Sequence, residues 1–160
     1  MKRIFALVVL LLYCFEGVAQ SQPNDCVNAI TVCGSSTFSS NAQGFGNTQE
    51  VTGCGGEEHN SIWLKINVVQ SGTLGFELIP NNVSITVDYD FWVYGPNASC
   101  GNLGNAIRCN TTNPQLANLP NNHTGMNGST TATQGGPGQS GTGYVRWLTV
   151  TAGQTYYIVI

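Results

Sequence analysis

Between residues 61 and 109 apolar and polar side chains alternate with the two-residue period of β-strands. Ile62, Leu64, Ile66 and Val68 fall on one strand face, with Lys65 and Asn67 on the other beside Trp63 and Val69. Gln70-Ser71-Gly72 interrupts the run and Thr73 to Ile79 resumes it, which predicts an antiparallel hairpin. Pro80-Asn81-Asn82 predicts the next turn, and Val83 to Tyr94 is β-branched and aromatic, broken only by Asp88 and Asp90. Near the end, Tyr144 to Val150 and Gln154 to Ile160 flank Ala152-Gly153 and predict a second hairpin. No segment carries a helical period with caps. Short strands parted by Gly, Asn and Pro turns predict an all-β, antiparallel two-layer sandwich of the jelly-roll type.

Two stretches fit this pattern less well. Residues 34–60 are rich in Ser, Gly and Asn, with Phe38 and Phe45 as their only large apolar anchors. Residues 110–142 hold almost no large apolar side chain beyond Leu116, Leu119 and Met126. Loops of that length are functional or disordered; the Asn, Thr and Gly content favours an ordered excursion bonded to backbone. The last apolar run stops at Ile160 without polar punctuation. An unpaired apolar edge is something natural sheets avoid, so the final strand or strands are expected beyond Ile160, followed by further domains of the same chain.

The amino terminus reads as an export signal spanning residues 1–19. Lys2-Arg3 precedes the apolar run Ile4 to Phe15, and Gly17-Val18-Ala19 places small residues before a cut at Gln20. The run is shorter than the roughly 20 residues of a membrane span. Acylation at Cys14 is the competing reading, disfavoured by the bulky Tyr13 before it. Residues 20–160 then form a single domain, truncated at its C-terminal end, of a secreted or cell-surface protein, with no membrane insertion after cleavage.

Charge narrows the partners. The full chain has five basic and eight acidic residues. Without Lys2, Arg3 and Glu16, three basic residues (Lys65, Arg108, Arg146) face seven acidic ones, a net charge of −4. So few cations cannot neutralise a phosphate backbone, and no nucleic acid partner is expected. An anionic membrane surface is an equally poor partner.

Five cysteines follow the cut: Cys26, Cys33, Cys54, Cys100 and Cys109. In an oxidising compartment they read as disulfide partners. Gly101-Asn102-Leu103-Gly104 is turn-forming, which favours Cys100–Cys109; Cys33–Cys54 is the second choice and leaves Cys26 unassigned.

The block 61–109 joins with Asn24-Asp25-Cys26 upstream and Tyr144 to Leu148 downstream. Together with Glu58 to Leu64, Ser71 to Phe76, Val87 to Pro96, Cys100 to Gly104, Thr124 to Gly128 and Ala152 to Ile158, it resembles a known family. That family is the N-terminal β-sandwich domain of large secreted Bacteroidota surface proteins carrying a gliding-motility-associated C-terminal sorting domain. The resemblance implies type IX secretion and a domain without an assigned active site. Relatives continue past their last strand into repeats and the sorting domain, and a continuation beyond Ile160 is what the resemblance implies here. Val87 to Tyr94 also resembles the aspartate–hydrophobic–tyrosine strand of CUB-like sandwiches, a likeness of architecture only.

Asp88 and Asp90 share a strand face, and with Glu58 or Glu57 nearby they could supply oxygen ligands to calcium. The plainer reading is that one caps a turn and the other is solvated. Glu57-Glu58-His59 lacks the His-x-x-x-His or Cys-x-x-Cys spacing of a zinc site. Gly138-Gln139-Ser140-Gly141-Thr142 departs from the nucleophile elbow at its last position, and Gly135-Gly136-Pro137-Gly138 lacks the lysine of a phosphate loop. No catalytic residue is assigned. The aromatics Trp63, Phe91, Trp92, Tyr94, Trp147, Tyr156 and Tyr157 could line a carbohydrate platform, for which Trp92 and Tyr94 are the chosen pair. The expected function is a non-enzymatic extracellular module for adhesion, glycan or protein-ligand contact, or spacing. The alternative is an accessory domain of an exported protease or glycosidase.

Overall fold

The computed structural model describes residues 22–160 other than 36 and 38; the expected leader (residues 1–19), Cys14 and Phe38 lie outside the described residues. One 3-10 turn, Cys26–Asn28, precedes the strands β1 (Ile30–Val32), β2 (Trp63–Asn67), β3 (Gly72–Leu74), β4 (Phe76–Leu78), β5 (Phe91–Tyr94) and β6 (Arg108–Thr112). They continue as β7 (Thr124–Asn127), β8 (Gln134–Gly138), β9 (Tyr144–Arg146), β10 (Leu148–Val150) and β11 (Thr155–Val159). The large sheet has the order β1-β2-β11-β5-β6-β8, and two small sheets, β10-β3 and β4-β7-β9, form a second layer. The chain is therefore all-β and sandwich-like.

It is not wholly antiparallel, which corrects one expectation. β1 runs parallel to β2, β6 to β8 and β7 to β9. Long connections permit this, since parallel neighbours cannot be joined by a tight turn.

Nor do the two expected hairpins close on themselves. At residues 68–71 the chain passes from the large sheet to the second layer, and at 151–154 it passes back. β2 pairs with β11, and beyond the corner β3 pairs with β10. The register carries through the bend: Asn67 faces Thr155 on one side, and Gly72 faces Val150 on the other. Val68 holds the corner by donating to the Gln154 carbonyl at 2.9 Å and accepting from the Gly153 N–H at 2.8 Å. Each segment thus supplies one strand to both layers, because its apolar residues on either side of the turn face the same interior.

β11 is also not an edge. It pairs with β2 on one side and β5 on the other, and Ile160 exchanges backbone hydrogen bonds with Ile62 at 2.9 and 3.0 Å. The edge-strand reason for expecting a closing strand after Ile160 does not apply to this topology.

Alternation sends β2, β5 and β11 side chains into two cores. Ile62, Leu64, Phe91, Val93, Tyr156 and Ile158 meet Met126, Val145, Leu148 and Val150 between the layers. Trp63, Trp92, Tyr94, Tyr157 and Val159 pack on the outer face with Cys26, Val51 and Cys109. That outer face is covered by loops. Burying each large side chain contributes about 1.5–3 kcal/mol on either face.

Disulfides fasten the covering loops, in a pairing that corrects both expected bridges. Cys26 joins Cys100 and Cys54 joins Cys109, while Cys33 is free and exposed. The turn at Gly101-Asn102 exists, but it closes through backbone bonds between Ser99 and Asn102 and leaves Cys100 to reach Cys26. Cys109 lies on β6 opposite Trp92, on the face that Cys54 crosses. Residues 110–142 form an ordered excursion containing β7 and β8, strands whose Gly, Thr and Asn content hid them from the alternation.

Candidate functional site

Glu58 stands just before β2 and is buried. Its Oε1 accepts the Trp63 indole N–H at 2.8 Å, and its Oε2 accepts the backbone N–H groups of Glu50 at 2.6 Å and Val51 at 3.3 Å. Gln49 clamps the same residue by donating to its carbonyl and accepting from its N–H. Three donors compensate the burial of the carboxylate, so the group serves the scaffold. Its neighbours Glu57 and His59 point outward. Glu50 accepts the Cys26 N–H at 2.6 Å; its pKa is raised, by burial first, against that hydrogen bond and with the charges of Glu58 and Asp25. Asp25 accepts the N–H groups of Asn47 and Thr48 at 2.8 and 3.0 Å and the Asn47 amide at 3.1 Å. These carboxylates tie residues 47–51 to the 3-10 turn and to the start of β2.

Asp88 and Asp90 are close enough to affect each other, and Glu58 is not drawn to them. Asp88 accepts from the Asn113 amide at 2.9 Å; burial raises its pKa and this bond opposes the rise. Asp90 keeps a buried Oδ1 without a hydrogen-bond partner. Burial, then the Asp88 charge, pushes its pKa up to about 7. Among the described residues no three acidic, His or Cys side chains converge as a metal site would require. His123 instead lies 3.6 Å from Glu77.

Trp92 and Tyr94 cannot form a ligand platform, because both are inside. The Trp92 indole N–H donates to the Gly53 carbonyl at 3.2 Å, and its ring lies so close to Gly56 that a Cβ there would stand 2.7 Å from it. Tyr94 stacks on Trp63 with ring centres 6.0 Å apart, and burial pushes its hydroxyl up to about 12. Alternation correctly placed Phe91, Val93 and Trp92, Tyr94 on opposite faces. What it could not reveal was that loops bury the second face as well.

The exposed indole is that of Trp147, 43% accessible. Tyr144 to Val150 holds two strands out of phase: Val145 is buried in β9, Leu148 and Val150 in β10, leaving Arg146 and Trp147 together at the break, both exposed. The backbone N–H of Trp147 donates to the Asn127 carbonyl at 3.1 Å and that of Arg146 to the Ala132 carbonyl at 2.7 Å. These bonds set both residues against the loop Gly128 to Thr131, enclosing an open groove of about 480 Å³. Gly128 lets the indole approach, since a Cβ would sit 2.6 Å from the Trp147 ring. Arg108 reaches the same end of the molecule and donates through Nε to the Arg146 carbonyl at 2.8 Å. Burial, then the Arg146 charge, lowers its pKa from the usual guanidinium value. The phase conflict was the signal that could have singled out Trp147.

Among the described residues no helix is long and apolar enough to cross a membrane, and the two disulfides are compatible with an extracellular setting. Comparison with protein-family models, with curated proteins and with solved structures finds no match for the chain.

Proposed function

We propose that the chain is a non-enzymatic, extracellular β-sandwich module of a bacterial surface or secreted protein, exported by its leader, which contacts a glycan or protein ligand. The observation that carries this reading is how the polar and aromatic groups are used. Glu58 and Asp25 are consumed in bonding the covering loop, and Trp63, Trp92 and Tyr94 are packed beneath it, while Trp147 is presented to solvent on a rigid strand junction. A scaffold that commits its carboxylates to its own backbone and displays an aromatic side chain suits recognition. Type IX secretion, implied by the family resemblance, agrees with this role.

The test is a glycan array and a set of protein ligands probed with the purified full chain, beside protease and glycosidase substrates. Saturable binding without turnover is the expected result. Turnover that survives repurification and follows the chain's concentration overturns the reading in favour of a hydrolytic function.

A further inference from the structure

We propose that the groove between Trp147, Arg146 and the Gly128–Thr131 loop is a binding site for an acidic saccharide, one whose sugar rings carry carboxylates. This inference rests on the ligand-contact reading above and gives it a place and a chemical class. Four observations converge. The indole is exposed, its ring lies against the Gly128 backbone, and the Trp147 main chain is fixed by its backbone N–H donating to the Asn127 carbonyl. A rigid aromatic face takes up the C–H face of a pyranose ring with little loss of conformational freedom.

Charge selects among sugars. Lys65, Arg108 and Arg146 are the three basic residues after residue 19; Arg146 lines this groove, and Arg108 bonds the Arg146 backbone carbonyl, in a chain otherwise dominated by carboxylates. Among the described residues neither arginine is paired with a carboxylate, so two like charges stand together without a counter-ion from the chain itself. A guanidinium beside a stacking surface matches a planar carboxylate carried on a ring. Ser129, Thr130 and Thr131 complete the lining with polar residues that suit the polar edge of a sugar. The volume, about 480 Å³, falls within the range of small-ligand sites.

The experiment titrates the full chain with oligogalacturonate and with the same oligomer methyl-esterified, following tryptophan fluorescence and heat. Trp63 and Trp92 are buried, so a spectral change on binding reports Trp147. The acid form is expected to bind roughly tenfold more tightly than the ester, the difference a charge-assisted contact makes. Arg146→Gln should erase the preference for acid over ester, whereas Trp147→Ala should abolish binding of both. Equal affinity for acid and ester, or an acid preference that survives Arg146→Gln, overturns the acidic class. Saccharide binding untouched by Trp147→Ala overturns the site and leaves the ligand-contact reading standing. Failure of every glycan and protein ligand on the array, with a folded chain by circular dichroism, overturns both.

Discussion

The two faces of the large sheet are buried by different means. On the inner face Phe91, Val93 and Ile158 meet side chains from the second layer, strand upon strand. On the outer face Trp92, Tyr94 and Val159 meet loops with almost no regular structure, held by two disulfides and by the carboxylates of Glu58, Asp25 and Glu50. Strands carry their own cohesion in ladder hydrogen bonds, whereas a loop must be fastened from outside or pay its ordering entropy repeatedly. The outer face is therefore expected to depend on oxidation more than the inner face.

Reduction should separate them most sharply. The bridges span 74 and 55 residues, and closing loops of that size stabilises by about 4 kcal/mol each through the unfolded chain. Replacing Cys26 and Cys100 by Ala, and Cys54 and Cys109 likewise, should lower the denaturant midpoint by the largest margin of any change here. Hydrogen exchange should rise first in residues 22–58 and stay slow in β10 and β11. Simultaneous loss of protection throughout would show that the two faces form one cooperative unit.

Glu58→Ala addresses the same face without touching a covalent bond. It leaves the Trp63 indole N–H and the Glu50 and Val51 N–H groups without their acceptor, at a cost of about 3 kcal/mol. Glu58→Gln keeps one acceptor oxygen and should cost less. Chemical denaturation followed by Trp fluorescence measures both; an unchanged midpoint for the alanine variant would remove Glu58 from the outer-face account.

How far these faces could be read from sequence depends on what each is made of. Alternation in Ile62 to Ile66, Phe91 to Tyr94 and Tyr156 to Val159 identifies the large sheet's central strands, because sheet sterics impose the same period on every strand. It says nothing about β7 or β8, where Thr, Asn and Gly carry the backbone with little apolar contrast. Strand partners are also hidden: β2 and β3 look like a hairpin because the turn is local, while the choice of β11 and β10 is made by a shared interior across the chain. The cysteine pairing fails for the same reason, since spacing measures sequence and Cys26–Cys100 is a contact of the folded loops. Glu58 had a chemical reading as a ligand, yet its role follows from Trp63 only five residues away, a distance no motif describes.

Asp90 tests the smallest difference, at the outer end of β5. Its folded pKa of about 7 lies above the unfolded carboxylate value, burial being the main cause and Asp88 the second. The folded state therefore holds a proton that the unfolded chain releases as pH rises above about 4. Stability attributable to this group is fully present below the unfolded pKa, declines through the interval, and is lost once pH passes the folded value. Asp90→Asn keeps the shape without the charge and should flatten the melting-temperature profile between pH 4 and 7, with a gain on the order of 2 kcal/mol at pH 8 after allowing for solvent screening. Calcium is the competing way to settle the same oxygens. Among the described residues Asp88 and Asp90 are the carboxylates left to it, Glu58 being occupied elsewhere. If an ion sits there, millimolar calcium must raise the melting temperature of the wild type at pH 7, EDTA must reverse the rise, and Asp90→Asn must abolish it. A pH slope that Asp90→Asn removes, with no response to calcium or EDTA, withdraws the metal and leaves a protonated aspartate at the rim of the outer face.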